Sequence, residues 1–136
     1  MKITYQAQNT DDKSTGGILT LNAYSMPIIT YRAVSGGYGK GSLPAGKYST
    51  GKIWMPEQIA ALPNAASYQA FGFGFFLPLI PKFETDRTEL GIHPDGGVPG
   101  TLGCIGLKLQ TAADAIRCYM LLLGGAAADS IDVEVL

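Results

Sequence analysis

Residues 17–34 read GILTLNAYSMPIITYRAV and consist of two apolar runs around a short break. Ile, Leu, Val and Tyr recur in residues 17–24 and 28–34, and both runs have the length and composition that are typical of strands. Residues 25–27 separate them, and a connection this short makes the two strands antiparallel neighbours. We therefore predict a β-hairpin over this stretch.

The rest of the chain has the same character. Eighteen glycines and eight prolines in 136 residues supply turns between short runs. Residues 2–8 and 131–136 alternate apolar with polar side chains, as half-buried strands do. Residues 56–62 and 111–123 have the capping signals and apolar spacing of helices. We expect one domain, residues 1–136, with a mainly β fold and one or two helices.

Two further predictions concern the glycine-containing segments at residues 68–79 and 124–125. Residues 68–79 contain Phe71, Phe73, Phe75 and Phe76 interleaved with glycine, which predicts a strand with one aromatic face. That face suits either core packing or the wall of a substrate cleft. Two consecutive glycines at 124–125 are expected to end the second helix.

Charge and hydropathy exclude several classes of function. The net charge is −1, from ten basic and eleven acidic residues that are spread along the chain, so no basic patch favours nucleic acid. No apolar run is long enough to span a bilayer, and residues 1–5 lack the apolar stretch of a secretory signal. We expect a protein that is made in the cytoplasm without a signal peptide, has no membrane span and does not bind nucleic acid.

Residues 90–107, LGIHPDGGVPGTLGCIGL, carry the chemistry. His93 is the only histidine of the chain, and it stands eleven residues before Cys104. A nucleophilic thiol needs a base or a cation beside it to become a thiolate near neutral pH, and imidazole is the side chain suited to that exchange. The glycine- and proline-rich residues 94–100 let the chain double back, so we predict that His93 and Cys104 meet as base and nucleophile.

The neighbouring residues allow further expectations. Gly103 lets the backbone approach a substrate carbonyl closely, and the amides of Gly103 and Cys104 are candidate oxyanion donors. Cys118 falls among apolar residues of the predicted helix, so we interpret it as a packing residue. One histidine and two cysteines lack the paired spacing of metal sites, and we expect neither a metal nor a cofactor.

This segment resembles the catalytic motif of the L,D-transpeptidase (YkuD-like) family, in which a histidine and a glycine-rich loop precede the signature [S/T]-H-G-C-[hydrophobic]-[N/R]. The positions that match are His93, Thr101, Gly103, Cys104 and Ile105. A second stretch, LPAGKY at residues 43–48, resembles the T-P-x-G-x-[F/Y] element of the family without its threonine. Nearly the whole chain can be overlaid on the family's catalytic domain, so the resemblance implies a β fold of sandwich or barrel type.

The chain also departs from the family pattern. Leu102 replaces the second histidine of the signature, Gly106 replaces the Asn or Arg, and the interval from His93 to Cys104 is shorter than in most members. Such departures are similar to compact branches among phage lysis proteins and type VI secretion effectors. The resemblance thus implies action in the periplasm or cell wall after delivery by phage lysis or secretion, with an immunity protein or a secretion or lysis partner.

The resemblance implies a cysteine acyl-transfer enzyme that acts on peptidoglycan stem peptides. Cys104 would attack the carbonyl of the third stem residue and expel the terminal D-alanine, leaving a thioester, while His93 moves the proton. Water as acceptor makes the enzyme an L,D-carboxypeptidase, and an amine makes it an L,D-transpeptidase. The backbone carbonyl of Pro94 is implied to orient His93, with the side chain of Asp95 as the alternative.

Six side chains are candidates for contact with the substrate: Arg87 and Lys108 with its carboxylates, Thr101 within the motif, and Tyr38, Trp54 and Tyr68 along the cleft. Solvated surface charge is the other interpretation of the two cations. Partial burial without contact to substrate is the other interpretation of the three aromatic residues.

Three other functions stay open. Leu102 and Gly106 favour a peptidoglycan-binding module that keeps the scaffold without turnover. A phage endolysin-type endopeptidase would use the same nucleophile on another stem-peptide bond. A structural component of a phage or secretion system, with the motif present by chance, is favoured only by the lack of a signal peptide.

Overall fold

The computed structural model describes residues 1–10, 14–36, 41–96, 103–126 and 130–136. Within these residues the chain forms ten strands, two α-helices and one 3₁₀ helix. In chain order they are β1 (Lys2–Thr10), β2 (Ser14–Ala23), β3 (Met26–Gly36), β4 (Gly46–Thr50), α1 (Pro56–Ala60), the 3₁₀ helix (Ala65–Tyr68), β5 (Gln69–Ala70), β6 (Phe73–Gly74), β7 (Leu77–Pro81), β8 (Gly91–Pro94), β9 (Ile105–Leu107), α2 (Ala112–Ala126) and β10 (Asp132–Val135).

Eight of these strands close into a barrel in the order β1-β10-β4-β7-β8-β9-β3-β2. Most neighbours are antiparallel, but β1 pairs with β10, and β8 with β9, in parallel. The remaining two strands, β5 and β6, form a small separate hairpin. The prediction of a mainly β fold with two helices is confirmed. No helix in the described part of the chain is long and apolar enough to cross a bilayer.

The predicted hairpin over residues 17–34 is present as β2 and β3, but its turn lies earlier than expected. Ala23 pairs with Met26, so the turn consists of Tyr24 and Ser25, with φ of 53° and 66°. A two-residue turn with both residues in the left-handed region matches the twist of the flanking strands. The pairing therefore continues closer to the tip than the apolar pattern indicated.

The prediction of one aromatic strand over residues 68–79 is wrong. The segment is divided among the end of the 3₁₀ helix, β5, β6 and the start of β7. Phe71 and Gly72 have φ of 56° and 75°, and these left-handed residues turn the chain back between β5 and β6. A strand cannot pass through two such residues, so the phenylalanines do not share one face.

The predicted end of the second helix is also wrong, since α2 continues through both glycines to Ala126. A Cβ at Gly125 would lie 2.7 Å from Sδ of Met1 and 3.1 Å from Cδ1 of Ile131. Gly125 thus admits these two side chains against the helix. Tertiary packing of the chain ends outweighs the modest helix-breaking tendency of glycine.

The hydrophobic core lies inside the barrel, where side chains from alternate strand positions converge. Ile92 of β8 and Ile105 of β9 are fully buried members of this core, as are Leu77 and Leu107. Because side chains alternate across a strand, the residues next to Ile92 and Ile105 project to the outer side of the barrel wall. His93 and Cys104 are those residues.

Ile92→Ala should lower the free energy of unfolding by about 2 to 5 kcal/mol, because it leaves a cavity at the centre of the core. The matched control is Ile80→Ala on the adjacent strand β7, where the side chain is 51% exposed. We expect the control to cost less than about 1 kcal/mol. Urea denaturation followed by circular dichroism measures both, and similar losses would contradict the placement of Ile92 inside the barrel.

Candidate active site

His93 and Cys104 lie on the same outer face of two neighbouring strands. In the parallel pair β8 and β9, Ile92 is opposite Ile105 and His93 is opposite Gly106. One step earlier, the same register puts Gly91 beside Cys104. Since residues two apart on a strand share a face, Cys104 projects to the same side as Gly106 and therefore as His93. The two side chains occupy diagonal positions on this face.

Aromatic rings surround the imidazole of His93. Tyr68 meets it edge-on with ring centroids 4.9 Å apart, and Phe76 stacks on it at 6.0 Å with an interplanar angle of 17°. Tyr68 ends the 3₁₀ helix, which also lies against Gly96, where a Cβ would come within 2.3 Å of the Ala66 carbonyl oxygen. Residues 66–76 thus cover the outer side of β8 at His93, which is only 5% exposed.

A backbone carbonyl sets the tautomer of His93. Its Nδ1 is 2.7 Å from the carbonyl oxygen of Pro94, and a carbonyl can only accept a hydrogen bond. Nδ1 therefore carries the proton and Nε2 has the lone pair that can accept another. The backbone amide of Asp95 donates to the carbonyl of Leu107 at 2.8 Å, which holds this end of β8 against β9.

Burial keeps His93 uncharged. It lowers the pKa of the imidazole from 6.5 to about 4, although the hydrogen bond to the Pro94 carbonyl favours the protonated ring and acts in the opposite direction. At neutral pH the ring is therefore neutral, and its Nε2 is unprotonated and can accept a proton.

Cys104 is also buried, with 9% of its surface exposed, but polar groups adjoin its sulfur. The thiol donates to the carbonyl of Glu89 at 3.4 Å. Burial raises the pKa of Cys104 to about 11, whereas a hydrogen bond from the Gly91 amide and the positive charge of Arg87 favour the thiolate. The charge of Glu89 adds slightly to the increase.

The resting pair therefore consists of a neutral thiol and a neutral imidazole at pH 7. A preformed thiolate–imidazolium pair would require the cysteine pKa to lie below the histidine pKa, and burial shifts both values the other way. This arrangement suits general-base catalysis, in which the thiol loses its proton as sulfur attacks the substrate. It differs from our expectation of a thiol that is already activated at neutral pH.

Arg87 lies next to the predicted nucleophile. Its Nη1 donates to the carbonyl of Ser42 at 3.3 Å, and its Nη2 lies 3.5 Å from the carbonyl oxygen of Gly41. A Cβ at Gly103 would lie 1.8 Å from Nη2, so the guanidinium occupies the space that a side chain there would fill. Gly103 also has φ of 120°, in the region that favours glycine. Both features require glycine immediately before Cys104.

The stretch at residues 43–48 approaches the first motif only at its beginning. The backbone amide of Leu43 donates to Oγ of Ser35 at 2.8 Å, and Ser35 is paired with Ile105 of β9. The end of the stretch belongs to β4, which pairs with β10 and β7 and is separated from β9 by β7 and β8 in the barrel order. Within the stretch, the hydroxyl of Tyr48 donates to the carbonyl of Pro44 at 2.5 Å.

The other predicted site residues are distributed as follows. Tyr68 contacts His93, and Trp54 reaches the site through Phe76, with ring centroids 6.1 Å apart. Lys108 is exposed beyond the end of β9 and bonds through its backbone to Arg32. Tyr38, Thr101 and Leu102 lie outside the described residues.

Two contributors to the site were not anticipated from the sequence. Gly91 supplies the amide near the sulfur, and a Cβ there would lie 2.3 Å from Cζ of Phe76. Glu89 supplies the carbonyl that accepts from the thiol, and its φ of 57° places an ordinary residue in the left-handed region. A glycine two residues before the histidine is a weak hint of the first role, whereas nothing in the sequence distinguishes Glu89.

Cys118 is a contrasting thiol. It is fully buried in α2, and burial raises its pKa to about 12. Its polar neighbour is the hydroxyl of Tyr31, which is itself buried in the core. No cluster of metal-ligating side chains is found among the described residues.

The low pKa of His93 predicts a pH dependence of stability. Between pH 6.5 and about 4 the unfolded chain binds a proton that the folded protein excludes. The contribution of neutral, buried His93 to the free energy of unfolding is therefore fully present above pH 6.5. It is lost as the pH falls towards 4, by at most about 1.4 kcal/mol per pH unit. Urea denaturation between about pH 7 and pH 5.5, above most carboxyl titrations, measures this slope. His93→Gln should flatten it, and an unchanged slope in that variant would contradict the assignment.

The two thiols should differ in reactivity. We expect the alkylation of Cys104 by iodoacetamide to keep rising with pH above about 9, because its thiolate is scarce at neutrality. Cys118 should react more slowly, since it is fully buried and has the higher pKa. Mass spectrometry of proteolytic peptides measures both rates. A rate for Cys104 that already levels off below pH 7 would indicate a preformed thiolate and contradict the neutral pair.

Comparison with protein-family models, curated proteins and solved structures found no match to this chain.

Proposed function

We propose that this chain is a cysteine acyl-transfer enzyme that acts on peptidoglycan stem peptides, as an L,D-carboxypeptidase or L,D-transpeptidase. One observation carries the proposal: Pro94 holds Nδ1 of His93, so the basic Nε2 is available on the outer face of the barrel that also carries Cys104. The substrate class comes from the resemblance of residues 90–107 and 43–48 to the two family motifs.

In the first step, Sγ of Cys104 attacks the carbonyl carbon of the third stem-peptide residue while its proton passes to Nε2 of His93. The tetrahedral intermediate then collapses as the carbon–nitrogen bond to the terminal D-alanine breaks. The imidazolium gives its proton to the departing amine. The products are free D-alanine and a thioester on Cys104, and His93 is again neutral.

In the second step, an acceptor attacks the thioester carbonyl while His93 takes its proton. The carbon–sulfur bond breaks, and the proton returns to the sulfur as the neutral thiol. Water as acceptor completes a carboxypeptidase reaction, and the amine of a D-amino acid or neighbouring stem completes an exchange or cross-link. Each cycle therefore begins and ends with a neutral thiol at Cys104 and a neutral imidazole at His93.

Arg87 supports a carboxylate-bearing substrate. Its guanidinium is held by backbone carbonyls at residues 41 and 42 and lies over Gly103, next to the nucleophile. A planar, permanently charged group in this position suits the carboxylate of the terminal D-alanine and favours negative charge that develops near the sulfur. Arg87 would thus supply, from another part of the chain, the charge that Gly106 lacks in the signature.

The alternative with an observation in its favour is a peptidoglycan-binding module without turnover. Burial of Cys104 to 9% exposure and the increase of its pKa to about 11 are what an inert thiol would show. Leu102 and Gly106 point in the same direction. The enzyme stays the preferred function because an inert thiol does not require the Pro94 contact, the Gly91 amide or the adjacent Arg87.

Purified protein incubated with tetrapeptide muropeptides should release or exchange D-alanine, as detected by mass spectrometry. Cys104→Ala should lower the rate by at least about a thousandfold, because the thioester can no longer form, and His93→Ala should have a comparable effect. Cys118→Ala is the matched control, since it removes the other thiol away from the outer face, and its activity should stay near that of the wild type.

The products identify the reaction and separate the enzyme from the binding module. D-alanine released by water identifies a carboxypeptidase, and incorporation of an added D-amino acid identifies a transpeptidase. Wild-type protein that leaves muropeptides intact yet sediments with purified sacculi would overturn the enzyme and support the binding module.

A further inference from the structure

A row of rings crosses the outer face of the barrel and ends at the surface. Trp54 and Phe76 form an antiparallel bridge, with hydrogen bonds of 2.8 and 3.3 Å between their backbones. Leu77 is opposite Ile92 in the pair β7 and β8, so the preceding residue, Phe76, is opposite His93. The order across the sheet is Trp54, Phe76, His93.

The outer end of this row is open to solvent. Trp54 is 42% exposed, whereas His93 at the inner end is 5% exposed. The ring centroids of Trp54 and Phe76 are 6.1 Å apart and those of Phe76 and His93 are 6.0 Å apart, so Trp54 lies at most about 12 Å from His93. A ligand whose reacting atom is near His93 can therefore extend over the indole.

We propose that Trp54 forms a saccharide subsite, which binds the sugar to which the stem peptide is attached. The inference rests on the proposed function, because that function brings a sugar close to the site. Phe76 makes a T-shaped contact with the indole at an interplanar angle of 67°, and its own ring fills the space above Gly91.

The chemistry of the ring selects this ligand. One face of a pyranose presents C–H groups, which pack well on the electron-rich face of an indole, while its hydroxyl and acetamido groups keep their hydrogen bonds to water. Exposed polar side chains also lie on both sides of Trp54 in the chain, at Lys52 and Gln58. A charged, extended stem peptide gains less from an uncharged flat surface.

The spacing is consistent with the same ligand. The carbonyl of the third stem residue is separated from the sugar by about three residues of extended peptide, which span on the order of 10 Å. This length is close to the maximum separation of Trp54 from His93. Other exposed apolar side chains, such as Tyr24 at the β2–β3 turn and Met120 on α2, have no described ring or backbone contact with the site.

Fluorescence tests the subsite directly, because Trp54 is the only tryptophan of the chain. Cys104→Ala protein, which cannot turn over, is titrated with the disaccharide-tetrapeptide of peptidoglycan and, separately, with the same tetrapeptide without sugar. We expect a saturable change in emission with the disaccharide-tetrapeptide and none with the free peptide at equal concentration. An equal response to both ligands, or a response to neither, would overturn the subsite.

Kinetics with the wild-type thiol give a second test. Trp54→Ala should lower kcat/KM for the disaccharide-tetrapeptide by about three- to tenfold, through KM, and leave the free tetrapeptide unaffected. Trp54→Phe should retain most of the wild-type kcat/KM for the disaccharide-tetrapeptide, because it keeps an aromatic ring. The control is Tyr24→Ala, which removes a fully exposed ring. Tyr24 precedes β3, whose other end pairs with β9, so this variant should leave kcat/KM for both substrates unchanged.

The outcomes separate the two proposals. An equal loss on both substrates would mean that Trp54 acts through Phe76 on His93, and the subsite would be wrong. If the wild-type protein turns over neither substrate, the proposed reaction fails, and the fluorescence titration alone decides whether Trp54 binds the sugar.

Discussion

The parallel pairing of β8 with β9 is the constraint on which the site depends. Its register puts His93 opposite Gly106 and Cys104 beside Gly91, on the side of the barrel wall that faces away from the core. A shift by one residue would turn one of the two side chains into the barrel interior, because successive residues of a strand face opposite sides. Burial of Ile92 and Ile105 inside the barrel opposes such a shift. Packing of the hydrophobic core thus holds His93 and Cys104 on the outer side of the barrel wall.

Burial of the pair has two opposite effects. It raises the pKa of Cys104 and lowers that of His93, so the reactive ionic forms are scarce in the resting protein. The same low polarity strengthens each remaining electrostatic contact, among them the Pro94 carbonyl on Nδ1 and the Arg87 charge near sulfur. Such a site would react slowly with general thiol reagents but, in the proposed reaction, would stabilise charge that develops on a bound substrate.

Two glycines let distant parts of the chain reach this face. The ring of Phe76 occupies the space of a side chain at Gly91, and the guanidinium of Arg87 occupies that at Gly103. Each glycine lies in the plane of the wall next to a functional residue, and each admits a group from another element. The aromatic row that ends at Trp54 and the cation beside the nucleophile both depend on these missing side chains.

The sequence alone was enough to predict the strand-rich class, the β2–β3 hairpin, both helices and the identity of the candidate base and nucleophile, because periodicity, turn residues and side-chain chemistry are local properties. It did not determine the end of α2 or the path of residues 68–79, where packing of Met1 and left-handed residues at 71 and 72 outweighed local preference. The tertiary structure was needed to show that the thiol and imidazole rest uncharged and that Arg87 lies beside Gly103. It also shows that Trp54 is connected to His93 through Phe76. Burial and contacts between distant segments depend on the barrel register, which no single stretch of sequence encodes.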